Sequence, residues 1–176
     1  MTEIALRDAV DADIPALHRL IQSAYRGEAS RAGWTTEADL LDGQRTDPDE
    51  LADILADPGQ TLLAAWRGDE LVGCVLIADR GKGTGYFGML SIRPTLQGGG
   101  LGRRLVEAAH AALASRFGAR RVRISVFPQR DTLIDWYERL GYRLTGETLP
   151  FPYGHPRYGL PKRDDLHFVV MERELG

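Results

Sequence analysis

The chain is short of several things, and each shortage excludes something. Cysteine occurs once in 176 residues, at Cys74, so an internal disulfide is impossible and a cysteine-based metal cluster is excluded. Cys74 falls in an apolar strand pattern, which suits a buried structural thiol better than a nucleophile. Positive charge is not in excess. The formal net charge of −3 gives no footing for nucleic-acid binding. No apolar run approaches the ~20 residues of a membrane span. The start, Met1-Thr2-Glu3, lacks the basic and apolar regions of a signal peptide, so a cytoplasmic protein without membrane contact is expected. The four histidines, His18, His110, His155 and His167, show no metal-ligand spacing, and no metal is expected. Linker composition and internal repeats are also lacking, so residues 1–176 are expected to form a single domain.

What is present begins with Gln97-Gly98-Gly99-Gly100-Leu101-Gly102-Arg103. It follows the strand-like run Tyr86 to Ile92 and the Arg93-Pro94 break, and it opens a helical pattern that reaches about Phe117. A glycine turn at a helix start leaves backbone N–H groups unpaired beside the positive end of the helix dipole, an arrangement that binds phosphate. Spacing restricts the ligand. A dinucleotide fingerprint needs Gly-x-Gly-x-x-Gly, yet counting from Gly98 or Gly100 puts Arg103 or Leu105 at the third glycine. A Walker loop needs Lys-Ser/Thr after its last glycine, and Arg103-Arg104 stands there.

The heptapeptide instead resembles the pyrophosphate loop of the GNAT acetyltransferase superfamily, Gln/Arg-x-x-Gly-x-Gly/Ala, matched by Gln97, Gly100 and Gly102. A second segment, Asp131 to Tyr142, reads as a short helix, a glycine stop at Gly141 and a strand. Its Tyr137-Glu138-Arg139-Leu140-Gly141-Tyr142 is similar to the late Tyr-Glu-Lys/Arg-x-Gly-Phe/Tyr motif of that superfamily. The motifs come in the family's order, and the resemblance spans roughly Ile4 to Leu175. The family often has Asn seven positions before the tyrosine, and Arg130 stands there.

The remaining pattern places the elements. Strands are expected at Ile4–Arg7, Thr61–Trp66, Leu71–Ala78, Tyr86–Ile92, Arg121–Phe127, Tyr142–Thr148 and Leu166–Arg173. A first helix, capped by Asp11 or Asp13, carries the stripe Ile14, Leu17, Leu20, Ile21 and Ala24. A second starts at the capping box Asp47-Pro48-Asp49-Glu50. The long helix after the glycine loop faces inward through Leu101, Leu105, Ala108, Ala109 and Ala112. Gly27 to Gln44 reads as irregular, and Leu149 to Asp165 as a long loop. This order predicts a mixed α+β sheet with helices on both faces. The resemblance sharpens it to the GNAT fold, a central, mostly antiparallel, seven-stranded sheet.

By the same resemblance the chain is an acetyltransferase moving an acetyl group from acetyl-CoA to a primary amine of a small molecule or peptide, within a ternary complex. A non-catalytic acyl-CoA sensor is the alternative, and a homodimer is left open. Cofactor contacts are carried over to Gln97, Gly98, Gly99, Gly100, Leu101, Gly102 and Arg103, to Leu90, Ser91 and Ile92 on the preceding strand, and to Arg130. Tyr137 is the expected general acid, protonated at pH 7 because its reference pKa of about 10 exceeds the ~8.5 of a thiol. The base is less marked, since the strand Tyr86 to Ile92 has no carboxylate. Glu37, Asp39, His155 and a water chain from Tyr86 stay open, with Glu37 favoured. Trp34, Tyr86, Phe151 and His155 are the expected acceptor contacts, with Arg45, Tyr153 and Arg157 nearby in the variable segments. Trp34 and Glu37 together suit a cationic amine.

Overall fold

A computed structural model describes residues 3–31, 36–96 and 99–176. Trp34, Gln97 and Gly98 lie outside the described residues. The strands are β1 (Ile4–Asp8), β2 (Leu41–Asp42), β3 (Gln60–Arg67), β4 (Glu70–Asp79), β5 (Thr84–Ile92), β6 (Arg121–Val126), β7 (Arg143–Pro150), β8 (Leu160–Pro161) and β9 (His167–Glu174). The helices are α1 (Ile14–Tyr25), α2 (Gly27–Ser30), α3 (Pro48–Ala56), α4 (Leu101–Phe117) and α5 (Asp131–Arg139). Seven strands form one sheet in the order β1-β3-β4-β5-β6-β9-β7. Only the β5–β6 pairing is parallel. The mixed, mostly antiparallel sheet expected from the sequence is thus observed.

Period-two alternation along the strands sends their apolar side chains to two faces. Leu63, Ala65, Val75 and Ile92 pack with Leu101, Leu105, Ala109 and Leu113 of α4 and Leu133 and Tyr137 of α5. Leu62, Ala64, Cys74 and Leu76 pack with Leu17, Leu20 and Ile21 of α1 and Leu51 and Ile54 of α3. Ala108 is only half-buried. Val106 and Leu113 fill the α4 face instead, because the helix presents the arc centred on Leu105 and Ala109 to the sheet. A third, smaller cluster joins Leu40, Leu41, Phe127, Phe151 and Leu166 under the loops at one end of the sheet. Among the described residues, no helix is long and apolar enough to cross a membrane.

Local signals mostly survive. Asp47 caps α3, its Oδ1 accepting from the Glu50 N–H at 2.7 Å, with Pro48 opening the helix. Asp13 does not cap α1. Its backbone is already helical (φ −83°, ψ −12°), and its carboxylate turns back to accept from the Val10 N–H at 2.9 Å and from Arg7. Two segments read as irregular prove ordered by each other. Leu41–Asp42 pairs antiparallel with Leu160–Pro161, and β7 extends to Pro150. Two-residue ladders have no period to detect, and their partners lie far apart in sequence.

Candidate functional site

The site begins where two strands part. β5 and β6 pair only from Thr84–Arg121 to Tyr86–Arg123. Beyond Tyr86 a bulge reshapes β5. Leu76 faces Gly88 and Cys74 faces Ser91, so Val75 alone opposes both Met89 and Leu90. Met89 takes a left-handed backbone (φ 50°), and its carbonyl accepts from the buried Ser91 hydroxyl at 2.9 Å. The Leu90 carbonyl accepts from the Tyr25 hydroxyl at 2.5 Å. A cavity of about 250 Å³ occupies the gap, floored by Gly88, Met89 and Leu90 on one strand and Ile124, Ser125 and Val126 on the other.

One approach to this gap is the start of α4. Gly100 holds a left-handed backbone (φ 84°) at the N-cap, and no side chain among the described residues caps the helix. The first turn contains no acidic residue. The orphan N–H groups and the dipole therefore meet no anion of the helix's own first turn. A Cβ built on Gly100 would meet nothing within 4 Å, so the space before the helix is open. Gly102 has a different role. A Cβ there would lie 2.9 Å from Ile92 Cδ1 and 3.5 Å from the Trp136 ring, so its absence lets α4 sit against the end of β5 and on α5. Gly99 is exposed, Leu101 is buried, and Arg103 is exposed and paired with Glu107 at 3.1 Å. The Leu90, Ser91 and Ile92 side chains are buried, and Leu90 lines the cavity.

Tyr137 stands on α5 with its ring packed among Phe87, Trp136 and Tyr142. It is 5% exposed, and it lines the cavity. Its hydroxyl has no hydrogen-bond partner among the described residues. Burial raises its pKa well above the usual tyrosine value, with Tyr25 adding to the rise and Arg130 opposing it. The group therefore keeps its proton at neutral pH.

The opposite wall is ionic. Glu37, 8% exposed, accepts from Arg26 Nη1 on Oε1 at 2.5 Å and from Arg130 Nη1 on Oε2 at 3.3 Å. Arg26 also donates to the Tyr158 carbonyl at 3.1 Å. Its Nε is buried with no hydrogen-bond partner among the described residues. Arg45 lines the same cavity, with its guanidinium carbon 5.3 Å from the Tyr25 ring centroid. Burial works against that charge, but the fields of Glu37, Tyr25, Tyr86 and Glu50 hold its pKa above the ordinary arginine value.

The two variable segments meet here. Lys162 donates through its backbone N–H to the Leu40 carbonyl at 2.9 Å and through Nζ to the Ala38 carbonyl at 2.7 Å. Gln44 donates to the Arg157 carbonyl at 3.1 Å, and Arg157 pairs with Asp47 at 2.7 Å. Glu37, Arg130, Tyr86, Phe151 and Tyr137 all line the cavity. His155 is exposed outside it, its ring 6.4 Å from that of Tyr158. Tyr153 is also outside, its hydroxyl bonded to the Arg163 carbonyl and the Leu166 N–H. Arg130 touches Glu37 on the ionic wall, where the family's Asn position suggested a cofactor contact. Sequence reading passes over Tyr25 and Arg26. Tyr25 only extends the apolar stripe of α1, and nothing local marks the residue after it as buried.

Comparison with known proteins follows this geometry. Residues 15–142 match the Acetyltransferase (GNAT) family. The chain is 33% identical over 155 residues to an "IAA acetyltransferase" of Azospirillum brasilense, covering 86% of this chain and 87% of the relative. Among solved structures, the ribosomal-protein-S18-alanine N-acetyltransferase from Escherichia coli superposes with a TM-score of 0.71 at 14% identity, covering 99% of this chain and 95% of that one. A GNAT family acetyltransferase from Elizabethkingia anophelis with acetyl-CoA bound superposes with a TM-score of 0.69 at 15% identity, covering 99% and 100%. At such identities these two likenesses speak for the fold.

Proposed function

Because the chain belongs to the GNAT acetyltransferase family, we propose that it moves the acetyl group of acetyl-CoA directly to a primary amine within a ternary complex. The observation that carries this reading is the gap between β5 and β6, with an uncapped helix start at one approach and the unpartnered Tyr137 hydroxyl at its lining. The residues present fit the cofactor. The space around Gly100 and the N–H groups that open α4, uncapped among the described residues, suit a pyrophosphate, and the parted strand edges suit an extended arm.

When bound, acetyl-CoA supplies a thioester carbon that joins the amine nitrogen as its bond to sulfur breaks. Leu101, Gly102 and Arg103 bind the pyrophosphate through backbone N–H groups. The bulge at Met89–Leu90 orients backbone polar groups along the gap, as polarisation of a thioester carbonyl requires. Tyr137 holds its proton at Oη through neutral pH, because burial raises its pKa, and donates it to the departing thiolate. Glu37, with an arginine on each oxygen, serves in this reading as the anchor of Arg26 and Arg130, and the proton lost by the amine leaves through the cavity beside Tyr86.

Release of free thiol from acetyl-CoA across a panel of amines tests the reading, with CoA-induced thermal stabilisation as the binding measurement. Turnover with at least one amine is expected. Absence of both turnover and stabilisation overturns it. Stabilisation without turnover of any amine makes the chain a binding module.

A further inference from the structure

Among the described residues, the arginines lining the cavity outnumber its carboxylates. Three arginines, Arg26, Arg45 and Arg130, line one cavity with one carboxylate, Glu37. Both Glu37 oxygens are spent on Arg26 and Arg130. Arg45 has no hydrogen bond from its guanidinium and no ion pair among the described residues; it lies against the face of Tyr25, in the fields of Glu37 and Glu50. Arg26 Nε is a second unspent donor in the same cluster. Guanidinium groups withdrawn from bulk water are normally paired, and three together with one carboxylate repel one another. A bound anion removes that imbalance.

Arg45 and the start of α4 belong to opposite faces of the sheet. Arg45 hangs on the α1 side of the sheet, its backbone N–H donating to Gln22 Oε1 at 3.1 Å. The start of α4 packs on the opposite face, with Leu101 and Leu105 against Val75 and Ile92. The pyrophosphate assigned to α4 is therefore held by a helix packed on the face away from Arg45. Tyr25 supplies the scale. Its hydroxyl reaches the Leu90 carbonyl, and its ring face underlies Arg45, so the guanidinium and the bulge are about one aromatic side chain apart. The cavity of about 250 Å³ is smaller than the usual range for drug-sized ligands, which suits a compact acceptor.

Resting on the acetyltransferase reading above, we propose that the acceptor is a small amine carrying its own oxyanion, of the amino-acid class, and that Arg45 binds the oxyanion while the amine lies at the Met89–Leu90 bulge. The bidentate fork of a guanidinium matches a carboxylate and also accepts a phosphonate. This proposal departs from the cationic-amine pocket expected from Trp34 and Glu37, because an arginine already bonds each Glu37 oxygen.

The test is acetyl-CoA turnover by the full chain with matched sets: free amino acids, their carboxamides, their descarboxy amines and their aminophosphonate analogues. The acid is expected to exceed its amide by about 10- to 100-fold in kcat/KM, the range of a hydrogen bond to a charged group. The phosphonate set decides which oxyanion is preferred, and a lead for either one supports the proposal. In Arg45→Met the acid-to-amide ratio should fall towards one through KM. Arg45→Lys should recover part of it. CoA-induced stabilisation checks that the variants are folded and that the cofactor face is intact. CoA-dependent thermal stabilisation by the acids and not the amides, lost in Arg45→Met, supports the proposal independently of rate. Equal kcat/KM and equal stabilisation for acid and amide, or a lead for the descarboxy amines, overturns this proposal and leaves the acetyltransferase reading standing. Arg45→Met that weakens CoA instead of the acid also overturns it. Loss of all turnover and of CoA stabilisation in the unmodified protein removes both.

Discussion

The helix start beside the gap, called the α4 wall, and the ionic wall of the cavity are built on different principles. The α4 wall is contiguous in sequence and presents backbone: Gly99 to Arg103 holds a left-handed N-cap with no capping side chain among the described residues. The Glu37 wall is assembled from Arg26, Glu37, Arg45 and Arg130, held by contacts to the distant Tyr158 and works through side chains. The difference teaches where variation is tolerated. Backbone donors cannot be altered by substitution except where a side chain intrudes, so a common cofactor suits the first wall. Side-chain charges change with one codon, so acceptor choice suits the second.

The sharpest way to break the comparison is Gly100→Glu. Its Cβ has free space, and the left-handed backbone costs about 1–2 kcal/mol, so the fold should survive with a Tm a few degrees lower. The new carboxylate meets the donors assigned to phosphate, and CoA-induced stabilisation should vanish. Stabilisation equal to wild type would detach the α4 wall from the cofactor.

Next comes Tyr137→Phe, which removes a hydroxyl that no described residue holds. A fall in kcat of ~10²–10⁴-fold with unchanged CoA stabilisation is expected, the usual scale of general acid catalysis. A pH–rate profile superimposable on wild type would leave Tyr137 with packing alone.

On the ionic wall, Glu37→Ala leaves Arg26 buried beside a second guanidinium. Removing one partner of a buried pair costs about 3–5 kcal/mol, and the loss should appear as lower thermal stability and not as lost CoA response. Unchanged Tm would show that solvent already screens the cluster.

A smaller effect probes the α4 wall from behind. His110 bonds the Tyr142 hydroxyl at 2.6 Å, and burial, with Arg173 nearby, depresses its pKa to about 4. A histidine neutral in the fold and protonated in the unfolded chain contributes stability above its unfolded pKa of about 6.5, and that stability is lost as pH falls towards 4. Denaturant titrations of His110→Phe should lack this component of the acid loss. An identical slope between pH 6.5 and 4 would remove His110 as its source.

The smallest effect is expected from Lys162→Ala, which cuts one stitch between the variable segments. The ion pair with Asp42 is exposed, worth at most about 1 kcal/mol, so stability should barely move while acceptor KM rises a few-fold. A change in CoA affinity instead would mean that the two walls are coupled.

What was legible in the sequence follows the same division. The glycine loop, the helix from Leu101, the strand Tyr86–Ile92 and the Tyr137 motif are runs whose period or spacing identifies them one at a time. Seven strands and their apolar faces were readable for that reason. The pairing of Leu41–Asp42 with Leu160–Pro161 was not, because two residues carry no period. Asp13 was read as a cap, but Arg7 and the Val10 N–H compete for its carboxylate more effectively. The bulge at Met89 left no trace either, since no glycine marks its left-handed position. His155 was singled out for its chemistry and stands exposed, while Arg26 was passed over and is buried at the centre of the acceptor wall.

By itself, the sequence determined the sheet, the helix faces and the α4 wall, because backbone periodicity and glycine stereochemistry act between near neighbours and need no distant partner. Only the tertiary structure decided that Glu37 is spent on two arginines and that Arg45 is left over. Ion pairing between residues up to 93 positions apart depends on which loops the sheet brings together. In a partly enclosed cavity, that proximity, and not residue type, sets whether a charge is an anchor or is left for a ligand.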